Sequence, residues 1–341
     1  MAQEQYVTST GKVGVIEQRS HNRVGFTAEH AIVNSADLYT QVQSVFAQCP
    51  PDGGRAMWKG ITTGDALKHA TDHPDLSASL EVSIPLSTIG LGDQYFAIFG
   101  INDNERASAF SLDEHRDIQA KHRRRTPQKA LDLIQRQQGI YTFHQDIPPE
   151  LVHQFATLWG RFDWTEEQVE NYAHLLQEQK SLPASQKTLW NIGLTNKEGL
   201  LEAAATAELF SLQQKNGKPV HFVELTEWAS DKSGEGLIQA AAAHLVCQIL
   251  ADRGDQDMMI YAETNAANGA PSVGRHIGLD FLSRYPHNET HAGTLFANVP
   301  VVDGRRDLRT EHRDFYWMGL SKDARRKYYP AEDIQQVVSM N

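Results

Sequence analysis

Cysteine is nearly absent from this chain, with 2 in 341 residues, Cys49 and Cys247. Such usage leaves no disulfide framework and predicts packed thiols in a reducing compartment. No apolar run approaches the roughly 20 residues that a membrane helix needs. The N-terminal stretch MAQEQYVTSTGKVG has no apolar segment of the secretory kind, so a cytoplasmic location is the expectation. Positive charge is also scarce. The formal net charge of −11 argues against general affinity for nucleic acid, which needs a basic footprint. The chain lacks a G-K-[ST] phosphate loop, a G-x-G-x-x-G fingerprint, a G-x-S-x-G elbow and an HExxH pair. His69/His73 and His287/His291 have i, i+4 spacing, but each pair abuts a proline and has no cysteine nearby. No metal site is expected.

What is present is an ordinary globular composition, 40% hydrophobic and 22% charged, in a chain long enough for two domains. Residues 1–135 read as an α/β region. It has a helix over 36–47, a strand over 55–60, a helix over 64–71, and strands over 76–85 and 94–101. Residues 113–138 are polar and charge-dense and read as a helical linker, with Lys121, Arg123, Arg124 and Arg125 as a solvated basic face. Residues 140–341 read as a second domain. A strand over 140–144 and helices over 150–159 and 165–179 precede strands over 188–194, 201–212 and 221–229. Asn196–Gly199 and Lys215–Lys218 supply hairpin chemistry between those strands. A helix over 236–251, a strand over 258–263, a short helix over 270–282 and strands over 291–302 and 309–318 complete the order. No close sequence repeat is visible.

The stretch WASDKSGEGLIQAAAAHLVCQIL joins a strand-like run to an alanine-rich helix through a turn with two glycines, Gly234 and Gly236. A helix start offers unpaired N–H groups and a positive dipole end, and glycine lets an anion approach them. Helix, helix, antiparallel meander, glycine turn, helix, strand, helix and final hairpin together resemble the GNAT acyltransferase fold. That resemblance implies a mixed, mostly antiparallel sheet flanked by helices. It covers roughly residues 140–320, with HFVELTEWAS as the fourth strand and DKSGEG as the turn. Asn265 and the pair Gly278-Leu279 are similar to the family's second cofactor segment. Within the superfamily the chain resembles β-lysine N-acetyltransferases in Ala292-Gly293-Thr294-Leu295-Phe296-Ala297-Asn298 and in Arg313-Asp314-Phe315-Tyr316-Trp317. The N-terminal region matches by order of elements alone, which leaves a degenerate GNAT-like half as one description of it.

The resemblance implies acetyl-CoA or another acyl-CoA as co-substrate, without a metal, and a small amine or amino acid as acceptor. Its cofactor residues would be Trp228, Ala229, Ser233, Gly234, Glu235, Gly236, Leu237 and Asn265. The family's turn carries Gln or Arg at its first position. Here that position is Ser233 or Asp231, depending on which glycine is aligned. The tyrosine that serves as acid in relatives falls on Gly274. Glu227, late on the fourth strand, is the candidate base and Glu224 the reserve. Tyr261, Glu263 and Arg275 flank the expected cleft as substrate contacts. The function so read is an acyl-CoA-dependent N-acyltransferase. The alternative is a GNAT-fold protein whose turn has decayed and which binds a ligand or partner without catalysis. A homodimer is left open.

Overall fold

The computed structural model describes residues 3–7, 13–19, 23–49, 55–102, 112–158, 166–231, 236–254, 257–265, 269–288, 301–302, 305–306 and 312–340. Its N-terminal half is a six-stranded sheet built from β1 (Gln3–Val7), β2 (Val13–Arg19), β3 (Arg23–Ala28), β4 (Arg55–Thr63), β5 (Leu80–Pro85) and β6 (Gln94–Asn102). The strand order is β1-β2-β3-β4-β6-β5, antiparallel except for the β3–β4 pair. Three helices, α1 (Ser35–Phe46), α2 (Gly64–Thr71) and α3 (Pro74–Ser79), cover one face. Leu38, Val42, Leu67 and Leu76 pack there on Phe26, Trp58 and Phe99. Asn34 caps α1 by accepting from Ala36 N–H at 2.8 Å. Pro74 opens α3, so residues 76–79 are helical where the sequence predicts strand. The first three strands, β1 to β3, carry no assignment in the sequence reading.

A linking segment holds α4 (Leu112–Arg123) and α5 (Ala130–Gln135). His115 anchors α4, its Nδ1 lying 2.8 Å from the Tyr316 hydroxyl. The C-terminal half begins with β7 (Thr142–Gln145), α6 (Val152–Leu158) and α7 (Glu166–Ser181). The meander β8 (Leu189–Thr195), β9 (Leu201–Gln213) and β10 (Pro219–Ser230) follows. Then come α8 (Leu237–Arg253), β11 (Met258–Asn265), α9 (Ala270–His276) and β12 (Asp280–Asn288). Two short strands, β13 (Val301–Val302) and β14 (Arg305–Arg306), lead to β15 (His312–Leu320), α10 (Lys322–Tyr328) and α11 (Ala331–Val338). Gly278, at φ 89°, ends the α9 turn, so residues 280–282 are strand where the sequence predicts helix. Most of the strand expected over 291–302 lies outside the described residues.

The seven-stranded sheet has the order β7-β8-β9-β10-β11-β15-β12, and only β10–β11 is parallel. Leave out the edge strand β7 and both halves have one topology. In each, two antiparallel pairs lead into a parallel pair bridged by a helix, and a closing hairpin follows. Even the irregularity recurs. A register shift sits near the start of β5, between Leu80 and Val82, and near the start of β12, between Phe281 and Ser283. The N-terminal half thus repeats the strand topology of the C-terminal half, a relation that no close sequence repeat announces.

The two sheets pack face to face. Ile61, Ile84, Phe96 and Ile98 of the first meet Phe222, Met259, Tyr261 and Trp317 of the second. Each such side chain, fully buried, stabilises by about 1.5–3 kcal/mol. On the outer face of the larger sheet, α8 is buried on nearly every side, with α5 and α11 closing over it. Where β8 and β9 extend past the first sheet, α6 and α7 cover the inner face through Phe155, Val169 and Leu176. The result is a helix–sheet–sheet–helix stack. Among the described residues no helix is long and apolar enough to cross a membrane.

His244 of α8 is 1% exposed, stacks on Phe143 with ring centroids 5.3 Å apart, and among the described residues has no partner for either ring nitrogen. Burial pushes its pKa down to about 4. Below the unfolded value of 6.5, the unfolded chain takes up a proton that the folded chain refuses. Stability should therefore fall by about 1.4 kcal/mol per pH unit as pH drops, about 3 kcal/mol in all once the folded pKa is reached. His244→Leu should remove that slope and raise stability at neutral pH by about 1–3 kcal/mol. Urea unfolding of both proteins from about pH 7.5 to about pH 4.5 measures this; identical slopes would exclude His244 as the source.

Candidate active site

The parallel pairing of β10 with β11 lasts four residues, from His221↔Met258 to Glu224↔Tyr261. Beyond that point β10 runs on to Ser230 paired only with β9, and β11 runs on to Asn265 paired only with β15. The two strands part in a V. A bulge between Glu224 and Glu227 sits where they separate. Among the described residues, no strand pairs with the facing edges of the two arms.

The α8 helix starts across the mouth of this V. Gly236, its N-cap, has φ 77°, and among the described residues no side chain caps the helix. A Cβ at Gly236 would meet only the Gln137 amide nitrogen, at 3.6 Å. Leu237 is buried beneath the first turn. Ser233, Gly234 and Glu235 lie outside the described residues. Of the remaining cofactor candidates, Trp228 and Ala229 are half-buried on the β10 arm, paired with Ala205 and Ala204. Asn265 ends the β11 arm.

At the apex the structure brings Glu224 and Tyr261 together. The Tyr261 hydroxyl donates to Glu224 Oε2 at 2.8 Å, and the ring stacks on Trp317 at 4.2 Å with an interplanar angle of 8°. Trp317 is 1% exposed, and its indole N–H has no partner among the described residues. This trio faces the N-terminal sheet. Glu227 lies beyond the bulge, its backbone opposite Thr206. Glu263 follows Tyr261 on the same strand face by alternation and is half-buried. Arg275 stands apart. Its guanidinium donates to the Leu279 carbonyl at 3.0 Å and pairs with Asp280 at 2.9 Å, on the helix-covered side. At Gly274, a Cβ would lie 3.0 Å from Met318 Sδ, so no larger acid fits without a shift.

Trp317 was not singled out in the sequence. Its only signal was the aromatic run Phe315-Tyr316-Trp317, which marks a strand and not a neighbour of Glu224. The linking segment is helical as the sequence predicts, but its contacts with α8 and α9 have no signal in the sequence. Gln137 reaches Gly236 from α5, and the Gln128 N–H donates to the His276 carbonyl at 2.9 Å. Burial, then Arg125 and Arg136, hold the His276 imidazole below its ordinary range. Among the described residues no group of histidine, cysteine and carboxylate side chains could hold a metal.

The N-terminal half has no such opening. Past β3, Ile32 bonds to β4 on both sides, N–H to the Ile61 carbonyl at 2.8 Å and carbonyl from Thr63 N–H at 3.1 Å. Ala31 and Glu29 bond in turn to Gln213 of β9. The parallel strands that part in one half are therefore sealed in the other, and its crossover helix is capped by Asn34.

No protein-family model matches the chain, and neither does any curated protein sequence. Solved structures do overlay on it at low score. An acetyltransferase of the GNAT family from Desulfovibrio desulfuricans shares 12% identity, covering 53% of this chain and 98% of its own, with a TM-score of 0.34. Arabidopsis thaliana NAA60 in complex with a bisubstrate analogue shares 11%, covering 53% and 97%, with a TM-score of 0.36. A spermidine N-acetyltransferase SpeG chimera from Vibrio cholerae and hSSAT shares 10%, covering 56% and 99%, with a TM-score of 0.35. Each of these overlays covers little more than half of this chain, and the architecture described above rests on its own strand order.

Proposed function

We propose that the chain is an acyl-CoA-dependent N-acyltransferase, acetyl-CoA being the simplest donor, acting on a small amine or amino acid. The observation that carries this is the parted β10–β11 pair with an uncapped 17-residue helix at its mouth. The donor's fit rests on two features. The open strand edges can bond an extended amide-bearing arm, and the first amides of α8, screened by no Cβ at Gly236, can take a diphosphate. A lysine-like acceptor is proposed from the resemblance of the 292–298 and 313–317 segments.

Acyl transfer to an amine needs the amine neutral, the thioester carbonyl polarised and the leaving thiolate tolerated. Backbone N–H groups on the β10 arm near Trp228 and Ala229 are assigned the polarising role, which requires no side chain. Glu224 is assigned the proton acceptor. One of its oxygens is held by Tyr261, and the other has no protein partner among the described residues. Glu227, beyond the bulge on the same strand, is the second candidate for that role. As Gly274 offers no acid, the thiolate would leave unassisted, which its low basicity permits.

The rival reading, a fold that binds without catalysing, draws on Ser233 and Glu235 in the turn. Calorimetry with acetyl-CoA and CoA separates the possibilities at the first step. Binding in the micromolar range is expected, and none at about 1 mM ligand would overturn the acyltransferase reading. With an acceptor amine in hand, Glu224→Gln should lower kcat by about a hundredfold and leave CoA affinity within about twofold. A full rate in that variant would move the base to Glu227.

A further inference from the structure

Two arginines of the linking segment have nothing to neutralise them. Arg125, just past α4, and Arg136, at the end of α5, are exposed, and among the described residues neither makes an ion pair or a side-chain hydrogen bond. Asp132, the acid of α5, pairs with neither.

Contacts on either side fix where they stand. The His122 ring lies 2.7 Å from the Ser272 hydroxyl, and Gln128 bonds to the His276 carbonyl, so residues 122–128 are laced along α9. The chain then crosses α8 as α5, with Leu133 and Ile134 buried against it. It emerges at the start of α8, where buried Gln137, the neighbour of Arg136, reaches Gly236. Both arginines act on the His276 imidazole, whose Nδ1 has no partner. Two arginines without an ion-pair partner among the described residues thus flank this end of the fold, Arg125 in the segment laced along α9 and Arg136 beside the residue that reaches the start of α8. Like charges gathered without a counter-ion are stabilised by an anion, and guanidinium is the side chain best shaped for phosphate.

We propose that Arg125 and Arg136 form the cationic side of the donor's phosphate site, placing from outside the turn the charge that Ser233 and Glu235 leave out of it. This rests on the acyl-CoA reading above. The basic groups so assigned come from the segment joining the two sheets.

Calorimetry at low and moderate salt, with CoA and with pantetheine, tests it on the wild type, Arg125→Ala, Arg136→Ala and the double variant. Pantetheine carries the amide arm without any phosphate. Each single variant should weaken CoA binding roughly fivefold and the double variant at least about twentyfold, with a shallower salt dependence. Pantetheine affinity should not change. Both side chains are exposed, so thermal melts of all four proteins should coincide. Should CoA binding in the double variant stay within about twofold of wild type, or CoA and pantetheine affinity fall together, the proposal is overturned while the acyl-CoA reading stands. Should the wild type bind no CoA, the acyl-CoA reading fails first and this assignment with it.

Discussion

Two parallel strands that stop pairing after four residues leave a gap in the middle of a sheet, and that gap has to be held open. Unpaired edges would otherwise close on each other or recruit another strand. Here β9 grips the β10 arm as far as Ser230 and β15 grips the β11 arm as far as Asn265. The bulge at Glu224–Glu227 turns the first arm away, and the stack of Tyr261 on Trp317 props the second from the face between the sheets. Glu224 sits at the vertex because it is the last residue of β10 with a parallel partner. Its position at the apex therefore follows from backbone pairing, and its orientation from the Tyr261 hydroxyl.

The N-terminal sheet shows what the same topology becomes without the gap. Its parallel pair is continued by Ile32, which is bonded to β4 on both sides, and its crossover helix begins with a satisfied Asn34 cap. A capped helix start and a bridged strand edge leave fewer backbone amides open to a ligand there. Its apolar face is spent on the other sheet, through Phe96 against Phe222 and Trp317. One copy of the fold has thus become the wall against which the other copy's apex is built. Removing it would expose Tyr261 and Trp317 to water, so the N-terminal half bears on the site through packing even though it has no cleft.

Much of this was legible residue by residue. The alanine-rich run after Gly236 and the hairpin turns at Asn196–Gly199 and Lys215–Lys218 mark α8 and the meander, because helix propensity and turn chemistry are local. The relation between the halves was not, because it lies in strand order. Hydrogen-bonding order is shared by sheets whose side chains have nothing in common, and Ile32 and Gly236 occupy related places with opposite consequences. The strands β1 to β3 were missed for want of long apolar alternation, and residues 76–79 for want of weight on Pro74 as a helix opener. That Glu224 sits at the apex is not legible either, because position along a strand says nothing of where its parallel partner ends.

The basic cluster shows the same limit in electrostatic form. As a run of sequence, Lys121 to Arg125 is a solvated helix face, and Arg136 is a single charge some ten residues on. Folding brings Arg125 and Arg136 to one imidazole on α9, with a chain contact from Gln137 to the start of α8. Over such distances at a surface, charges act through a Debye length of about 8 Å at physiological salt, so placement decides whether they count. A glutamate in the turn, facing a diphosphate at about 4 Å, would repel it by about 4 kcal/mol at an effective dielectric of about 20. Backbone amides and the α8 dipole offset part of that, since a helix end is worth at most about 2 kcal/mol in favourable geometry. The remainder has to come from cations near the mouth of the V, and among the described residues Arg125 and Arg136 are the pair that the fold places there without a partner.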